Sequence, residues 1–400
     1  MYKRQVLQVE ESTLRQGYRG RSSLAYLDQY AELNIGARDY RAVSCNFEVG
    51  FEYHALDHWP AFVLDLLPSG AARRHWLHAL GLQDGPTADW QLLVAGAGNP
   101  PGNLRVVEAA QSMTYNEQPH SGFSRRDILQ RKEGFIEYAY QHGAPVAGST
   151  GAQGDAPKFL LTEGVNGTWH ADGALCDRYA ARHWLVKFPR GRHETDRIIL
   201  QCEATYLLCA KEVGIRVSGL AHFEDDVLFV PRFDRIVRAK HAATADEQAN
   251  EVLRAGMESL CSLAGVAEFG AFVSQERLCQ AIAQVCDDPH SELLEFVKRD
   301  VLNVALKNTD NHSHNATVLK TPDGKLELTP LFDFAPMFLD REGIPRICRW
   351  RTAEEGGVPQ WERVIETLEP LGLKLDPART ELVTLARDLG RLPDLLAEHR

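Results

Sequence analysis

The segment Lys307-Asn-Thr-Asp-Asn-His-Ser-His-Asn315 constrains this chain more than any other stretch. A helical pattern over 291–306 runs into it. A strand pair at 316–320 and 326–330 follows, joined by the turn sequence Pro322-Asp-Gly-Lys325. The segment is therefore a polar loop held between two ordered elements. Asp310 and Asn315 are five residues apart, and Asp333, in Leu331-Phe-Asp-Phe334, comes eighteen residues after Asn315.

Phosphoryl transfer asks for this set. One Asp accepts the proton of the attacking hydroxyl, while an Asn and a second Asp hold Mg²⁺ against nucleotide phosphates. D-x-x-x-x-N followed by an Asp at a strand end is the arrangement used by kinases. The spacing alone also suits an Asn/Asp-rich turn with capping roles, so the upstream order matters. A small-residue loop lies at Gly148-Ser-Thr-Gly-Ala-Gln-Gly-Asp155, followed by a strand at 158–161. Lys187 sits within a second strand, 184–188, where a lysine reaches α/β-phosphates. A helix over 196–213 follows, with Thr195 placed to cap it and Gly214 to close it. Ile199, Cys202, Tyr206, Cys209 and Val213 form its apolar stripe; Glu203 lies off that stripe and can pair with Lys187.

Other chemistries find less support. His312 and His314 form an H-x-H beside Asp310, but no further metal-ligand motif joins them. Neither G-x-x-x-x-G-K-[ST] nor G-x-S-x-G occurs, and Gly96-x-Gly98 lacks the third glycine of a dinucleotide fingerprint.

The 400 residues carry a net charge of −11, which argues against a surface made wholly for nucleic acid. A basic cluster (Arg178, Arg182, Lys187, Arg190, Arg192, Arg197) reads either as a solvated face or as a phosphate-handling region. The apolar fraction of 44% is ordinary for a globular protein, and no apolar run is long enough to span a bilayer. The opening MYKRQVLQVEESTLRQ lacks the apolar core of a signal peptide. The eight cysteines contain no C-x-x-C pair and read as reduced thiols, so a cytoplasmic protein is expected.

Three parts are expected: 1–110, 111–235 and 236–400. The first has strand-like composition at 40–51, a helix over 59–80, a Gly/Pro-rich stretch at 96–102 and a strand at 103–107, and 111–130 reads as a linker or surface excursion. The second includes a hairpin, 217–223 with 227–231, turning at Asp225-Asp226; after Arg235 the chain reads as mostly helical.

At these residues the sequence resembles the HipA family of bacterial serine/threonine protein kinases, the toxin halves of type II toxin–antitoxin systems. The resemblance is carried by Val186-Lys-Phe-Pro189, Glu212-Val-Gly-Ile215, Pro231-Arg-Phe-Asp-Arg235, Asn308 to Asn315 and Pro330-Leu-Phe-Asp-Phe334. Asp65-Leu-Leu-Pro68 and residues 96–104 resemble the family's first subdomain. The stand-alone YjjJ-like branch is the nearest in pattern. The resemblance implies an α+β, two-lobed protein-kinase-like fold with an N-terminal β-rich subdomain and a helical C-terminal lobe. It implies ATP and Mg²⁺, with Asp310 as catalytic base, Asn315 and Asp333 as metal ligands and Lys187, paired with Glu203, on the ATP phosphates. It implies an adenine hinge at Val230, Arg232 and Phe233, Asp234 near the ribose, and Ser149, Thr150 and Gly151 in the phosphate-covering loop. It also implies a protein substrate, often an aminoacyl-tRNA synthetase, and a helix-turn-helix antitoxin of HipB type, with DNA contacted only indirectly or weakly. The family's autophosphorylated loop serine aligns with Gly148 or with Gly151, depending on which glycines are matched; Ser149 and Thr150 are neighbours. The chain opens on strand-like sequence rather than a DNA-binding segment. Asp310-Asn-His312 with Asn315 also resembles the aminoglycoside phosphotransferase loop, which leaves a small-molecule kinase as one alternative. A nucleotide-binding, DNA-associated module without turnover is the other.

Overall fold

The computed structural model describes residues 5–112, 121–141, 157–239 and 250–397. The chain begins with β1 (Gln5–Val9), β2 (Ser22–Tyr26), α1 (Asp28–Asn34) and β3 (Tyr53–Leu56). Six helices follow: α2 (Ala61–Leu64), α3 (Gly70–Leu80), α4 (Asp89–Gly96), α5 (Val107–Ser112), α6 (Arg125–Leu129) and α7 (Glu133–Gln141). Then come β4 (Lys158–Gly164), β5 (Trp169–Ala171), β6 (Ala180–Lys187), α8 (Glu194–Glu212), β7 (His222–Glu224) and β8 (Val227–Pro231). The rest holds β9 (Arg235–Ala239), β10 (Asn250–Arg254), β11 (Gly256–Ser259), α9 (Leu260–Leu263), α10 (Gln275–Val285) and α11 (Pro289–Ala305). It ends with β12 (Thr317–Lys320), β13 (Leu326–Leu328), β14 (Glu354–Glu355), β15 (Val358–Pro359), α12 (Trp361–Leu368) and α13 (Leu375–Ala397).

The site is built around an antiparallel five-stranded sheet, ordered β5-β4-β6-β8-β7. Side chains alternate across its strands. Val227 and Phe229 of β8 join Trp184 and Val186 of β6 in a core with Phe135 of α7. Leu228 and Val230 point the other way, into a core with Leu200 and Leu207 of α8. Because both faces are covered, β8 reads as a continuous apolar run. The hairpin β7–β8 turns at Asp225 and Asp226 with φ of 46° and 62°, the left-handed pair of a two-residue turn. A second sheet, β11-β12-β13, packs over α10, α11 and α12, with Leu278, Val297, Val318 and Val364 at its centre. The α8 core reaches Leu302 of α11, Leu331 and Leu385, so it joins the sheet to the helical part. A third sheet, β1-β2-β3, has its own core around Leu24, Trp59, Leu67 and Leu92.

Several expectations need correction. Residues 40–51 form turns with one isolated bridge, Ser44 to Phe47; most of their backbone bonds are local, and Ser44 Oγ and Cys45 N–H bond across to Glu258 of β11. The helix over 59–80 is broken into α2 and α3, since Pro68 cannot donate within a helix and disfavours the helical conformation at Leu67. Residues 103–106 are not a strand, and Val107 opens α5; among the described residues no strand pairs there, and Val106 N–H bonds to Ala97 O. After Arg235 come three strands before the helices: β9 pairs with β10, and β11 pairs with the distant β12. Helix α8 starts at Glu194 and is preceded by His193 without a side-chain cap, so Thr195 lies inside it. Its buried residues are Asp196, Leu200, Glu203, Leu207, Cys209 and Ala210; of the expected stripe Cys209 and the adjoining Val213 are buried, and Glu203 lies within the buried face rather than off it. The basic cluster is not one patch. Lys187 is buried, Arg190 pairs with Asp196 and Asp340, Arg197 pairs with Asp226, and Arg178 lies over the Tyr179 ring. Among the described residues no helix is long and apolar enough to cross a membrane.

Candidate active site

Strand register sets the first half of the site. Lys158 opens β4 and Lys187 closes β6, and the two are direct cross-strand partners. Like charges so placed repel. Both side chains are also largely out of water, 11% and 3% exposed. Two carboxylates offset them. Glu203, reaching from α8, accepts from Lys187 Nζ at 2.5 Å. Asp333 accepts from Lys187 Nζ and, at 3.4 Å, from Lys158 Nζ. Burial alone would raise the Asp333 carboxyl, but the two ammoniums reverse this and hold it well below the usual carboxylate range. Burial would lower Lys187, and Asp333 and Glu203 reverse that too, so its proton is held more tightly than usual. Lys158 is the softer cation: burial lowers it, and neighbouring Lys187 adds to the effect. Glu203 is raised by burial, partly offset by Lys187.

Asp333 reaches this position by a local device. Leu331 N–H bonds to Arg216 O at 2.7 Å, and Leu331 bridges to Val217, tying the strand end to the loop after α8. Asp333 then takes φ of 51°, a left-handed turn that Asp tolerates better than most side chains. The turn leaves Phe332 against Phe233, with ring centroids 6.0 Å apart.

The loop after α11 supplies the second half. Asn315 Nδ2 donates to Asp310 O at 2.9 Å, which closes the D-x-x-x-x-N segment on itself. Asn311 fastens the loop to the chain beyond Asp333: it donates to Cys348 O at 2.7 Å and accepts from Ile347 N–H at 3.0 Å. The Asp310 carboxyl is pushed up to about 6, by burial first and by the Asp333 charge second. The buried His312 ring, lowered to about 4, stands neutral with Nε2 3.5 Å from Asp310 Oδ1. Asp310, His312, Asn315, Phe332 and Asp333 line one cavity of about 50 Å³. Among the described residues, Asn315 Oδ1 and His312 Nδ1 are buried there without a hydrogen-bond partner. A free amide oxygen beside a carboxylate is the oxygen donor set that suits Mg²⁺, which usually takes one or two protein ligands and completes its shell with water and phosphate. The residues present therefore fit that ion.

The structure brings Lys187, Glu203 and Asp333 into direct contact, and Asp310, Asn315 and Asp333 onto one cavity. Val230 is buried in β8, and Phe233 meets Phe332. Arg232 and Asp234 are engaged elsewhere. Arg232 bridges Asp172 and Asp234 at 2.6 Å each, and Arg235 bonds Asp234 at 2.8 Å and Asp172 at 3.4 Å. All four side chains are 4% exposed or less. Gly102 N–H donates to Asp234 Oδ2 at 2.7 Å, and Arg235 donates back to Gly102 O at 2.9 Å. The R-F-D-R segment thus clamps the Gly/Pro-rich stretch at 96–102 against the sheet, and Asp234, expected near a ribose, has both carboxylate oxygens engaged in that clamp. Ser149, Thr150 and Gly151 lie outside the described residues. Sequence reasoning missed Lys158 and Asp172. The signal for Lys158 was a lysine at the head of a strand, but only the register puts it beside Lys187. Asp172 had none.

A model of the HipA-like C-terminal domain matches residues 150–383, which include every residue of the lysine–carboxylate cluster and the catalytic-type loop. No curated protein matches the chain. Among solved structures, the HipA of Shewanella oneidensis MR-1, in a toxin–antitoxin complex with HipB and operator DNA, is similar with a TM-score of 0.66 and 18% identity. That match covers 99% of this chain and 88% of that one. The Helicobacter pylori proinflammatory kinase CtkA matches over 53% of this chain and 87% of that chain, with 14% identity and a TM-score of 0.33. The architecture is the α+β, kinase-like fold of HipA, and the family model spans more than half of the 400 residues. The chain belongs to the family of HipA-like C-terminal domains.

Proposed function

We propose that this protein is an ATP- and Mg²⁺-dependent serine/threonine protein kinase of the HipA type, acting in the cytoplasm. The observation that carries the reading is the convergence of Lys187, Glu203 and Asp333 with the Asp310–Asn315 loop around one small polar cavity. In this reading Lys187, braced by Glu203, binds nucleotide phosphates, and Lys158 adds a second cation from the neighbouring strand. Asn315 Oδ1 and the Asp333 carboxylate hold Mg²⁺, which neutralises charge on the phosphates. Val230, Phe233 and Phe332 form the apolar bed for the purine. Asp310 orients the substrate hydroxyl and accepts its proton as the oxygen–phosphorus bond forms and the β–γ bridge breaks, releasing ADP. Catalysis is then mostly positioning and charge stabilisation.

The Shewanella HipA is in complex with HipB and operator DNA. We carry over to this chain a helix-turn-helix antitoxin of HipB type, with DNA contacted through that partner, and a protein substrate such as an aminoacyl-tRNA synthetase. Autophosphorylation at Ser149 or Thr150 belongs to the same proposal; phosphopeptide mapping after ATP incubation tests it.

The deciding experiment is transfer of γ-labelled phosphate by the wild type and by Asp310→Ala, alone and with cell lysate. Label on the chain or on a lysate protein, lost in the variant, supports a protein kinase and identifies its target. Magnesium-dependent ATP binding without labelled protein overturns it in favour of a small-molecule kinase or a nucleotide-sensing module.

A further inference from the structure

The catalytic-type loop is held from two sides, and one side is the N-terminal part of the chain. Asp65, just after α2, accepts from Ser259 N–H at 2.9 Å through Oδ2. Its other oxygen is 3.9 Å from His314 Nε2. Ser259 closes β11 and caps α9, accepting from Ser262 N–H at 3.0 Å. The next two amides go directly to the loop: Leu260 N–H donates to Ala316 O at 2.8 Å and Cys261 N–H to Ser313 O at 3.3 Å. The His314 ring lies parallel to Phe269, 6.0 Å away at 22°. Phe269 in turn meets Tyr18 edge to face at 5.4 Å, and it packs into the N-terminal core.

A second buried anchor sits at the same junction. Glu258 accepts from Ser44 Oγ at 2.5 Å, Cys45 N–H at 2.9 Å, Ser262 Oγ at 2.8 Å and Lys320 Nζ at 3.2 Å. Lys320, fully buried, also donates to Ala42 O and Val43 O. β11 and β12, which flank the loop, are thus bolted to residues 42–45, and Asp65 sits where this joint meets the loop.

We propose that Asp65 is a positioning residue for the loop that carries Asp310 and Asn315, acting through Ser259, whose neighbours Leu260 and Cys261 hold that loop by their amides. The N-terminal part then serves as a working wall of the kinase site rather than as a separate attachment. This rests on the kinase reading only for its effect on rate. The mechanical claim, that Asp65 holds residues 308–316 in place, stands apart from it.

The test compares wild type, Asp65→Ala and Asp65→Asn by amide hydrogen exchange and by steady-state kinetics. In Asp65→Ala, exchange over 259–264 and 308–316 speeds up by about ten-fold, while β4, β6 and β8 keep their wild-type rates. kcat falls by about ten-fold and KM for ATP stays within about two-fold, because the loop is displaced and the lysine cluster is not. Asp65→Asn keeps an oxygen for Ser259 N–H and restores most of both. Should Asp65→Ala fail to fold, Phe269→Leu removes the ring beneath His314 and gives the same local loosening by a smaller factor. Unchanged exchange over 308–316, or an equal rise in every region, overturns the proposal. If the wild type labels no protein, the kinase reading falls, and the exchange result still decides the role of Asp65.

Discussion

Replacing Lys187 by Met removes the ammonium that stands between Glu203 and Asp333. Asp333 keeps Lys158 at 3.4 Å, so Glu203 is the carboxylate left stranded. Glu203 is 5% exposed, so water cannot replace the lost partner. Breaking a buried pair from one side costs about 3–5 kcal/mol. The cost has a ceiling, because Glu203 can escape by taking up a proton. From an unperturbed carboxyl near about 4.3, that costs about 4 kcal/mol at about pH 7.5 and about 2 kcal/mol at about pH 6. The sign follows from linkage. A carboxyl raised in the folded state binds more protons folded than unfolded, so the deficit grows as pH rises above the unfolded value. The double variant Lys187→Met/Glu203→Gln leaves one cation, Lys158, facing one anion, Asp333. It therefore recovers most of the stability and none of the phosphate transfer. Urea unfolding followed by tryptophan fluorescence at both pH values, with ATP-dependent labelling in parallel, reads all three quantities. A deficit that does not change with pH would refute the stranded-carboxylate argument. An active double variant would remove Lys187 from phosphate binding.

Other outcomes follow from the same geometry. Asp310→Asn lowers phosphate transfer by about 10²–10⁴-fold with nucleotide affinity nearly unchanged, measured by single-turnover labelling beside titration with a fluorescent nucleotide. The wild-type rate falls as pH drops through about 6, where Asp310 takes up a proton, and the limb moves lower as Mg²⁺ is raised because a cation at Asp333 cancels the repulsion; a pH–rate profile at two Mg²⁺ levels checks this. Lys158→Met raises KM for ATP but destabilises less than half as much as Lys187→Met, since removing one lysine also relieves its repulsion with the other; the same kinetics and urea curves test it. Arg232→Met breaks the Asp172–Arg232–Asp234–Arg235 clamp and costs about 3–5 kcal/mol. The wild type loses the clamp's contribution as pH falls from the ordinary carboxylate range through about 2, because burial is overridden by the guanidiniums and Asp234 is held down at about 2. Acid titration of both proteins should show a smaller loss in the variant, where Arg235 alone still pairs with Asp234 and Asp172.

The chemistry was legible in the sequence where it is local. Asp310 and Asn315 share one loop, and a five-residue spacing closes it through a single hydrogen bond. The hairpin at Asp225-Asp226 follows from two residues that tolerate positive φ. The order of strand lysine, helix and hairpin was readable because each is a short-range pattern. What failed also failed for a physical reason. Residues 40–51 have strand composition, but their hydrogen bonds go to local turns, to the Tyr26 hydroxyl and, from Ser44 and Cys45, to Glu258 more than two hundred residues away. Glu203 read as lying off the apolar stripe of its helix and able to pair with Lys187; the pair forms, but inside the buried face of α8, because Lys187 is itself buried there. Asp234 read as a ligand contact, while Asp172, Arg232 and Gly102 claim it for a clamp. The sequence by itself determined which residue types could carry phosphoryl transfer and in what order they come. Tertiary structure alone decided that Lys158 stands beside Lys187 and that Asp65 stands behind His314. Cross-strand register and the docking of one part of the chain on another are set by contacts between residues far apart along it, and no local pattern records them.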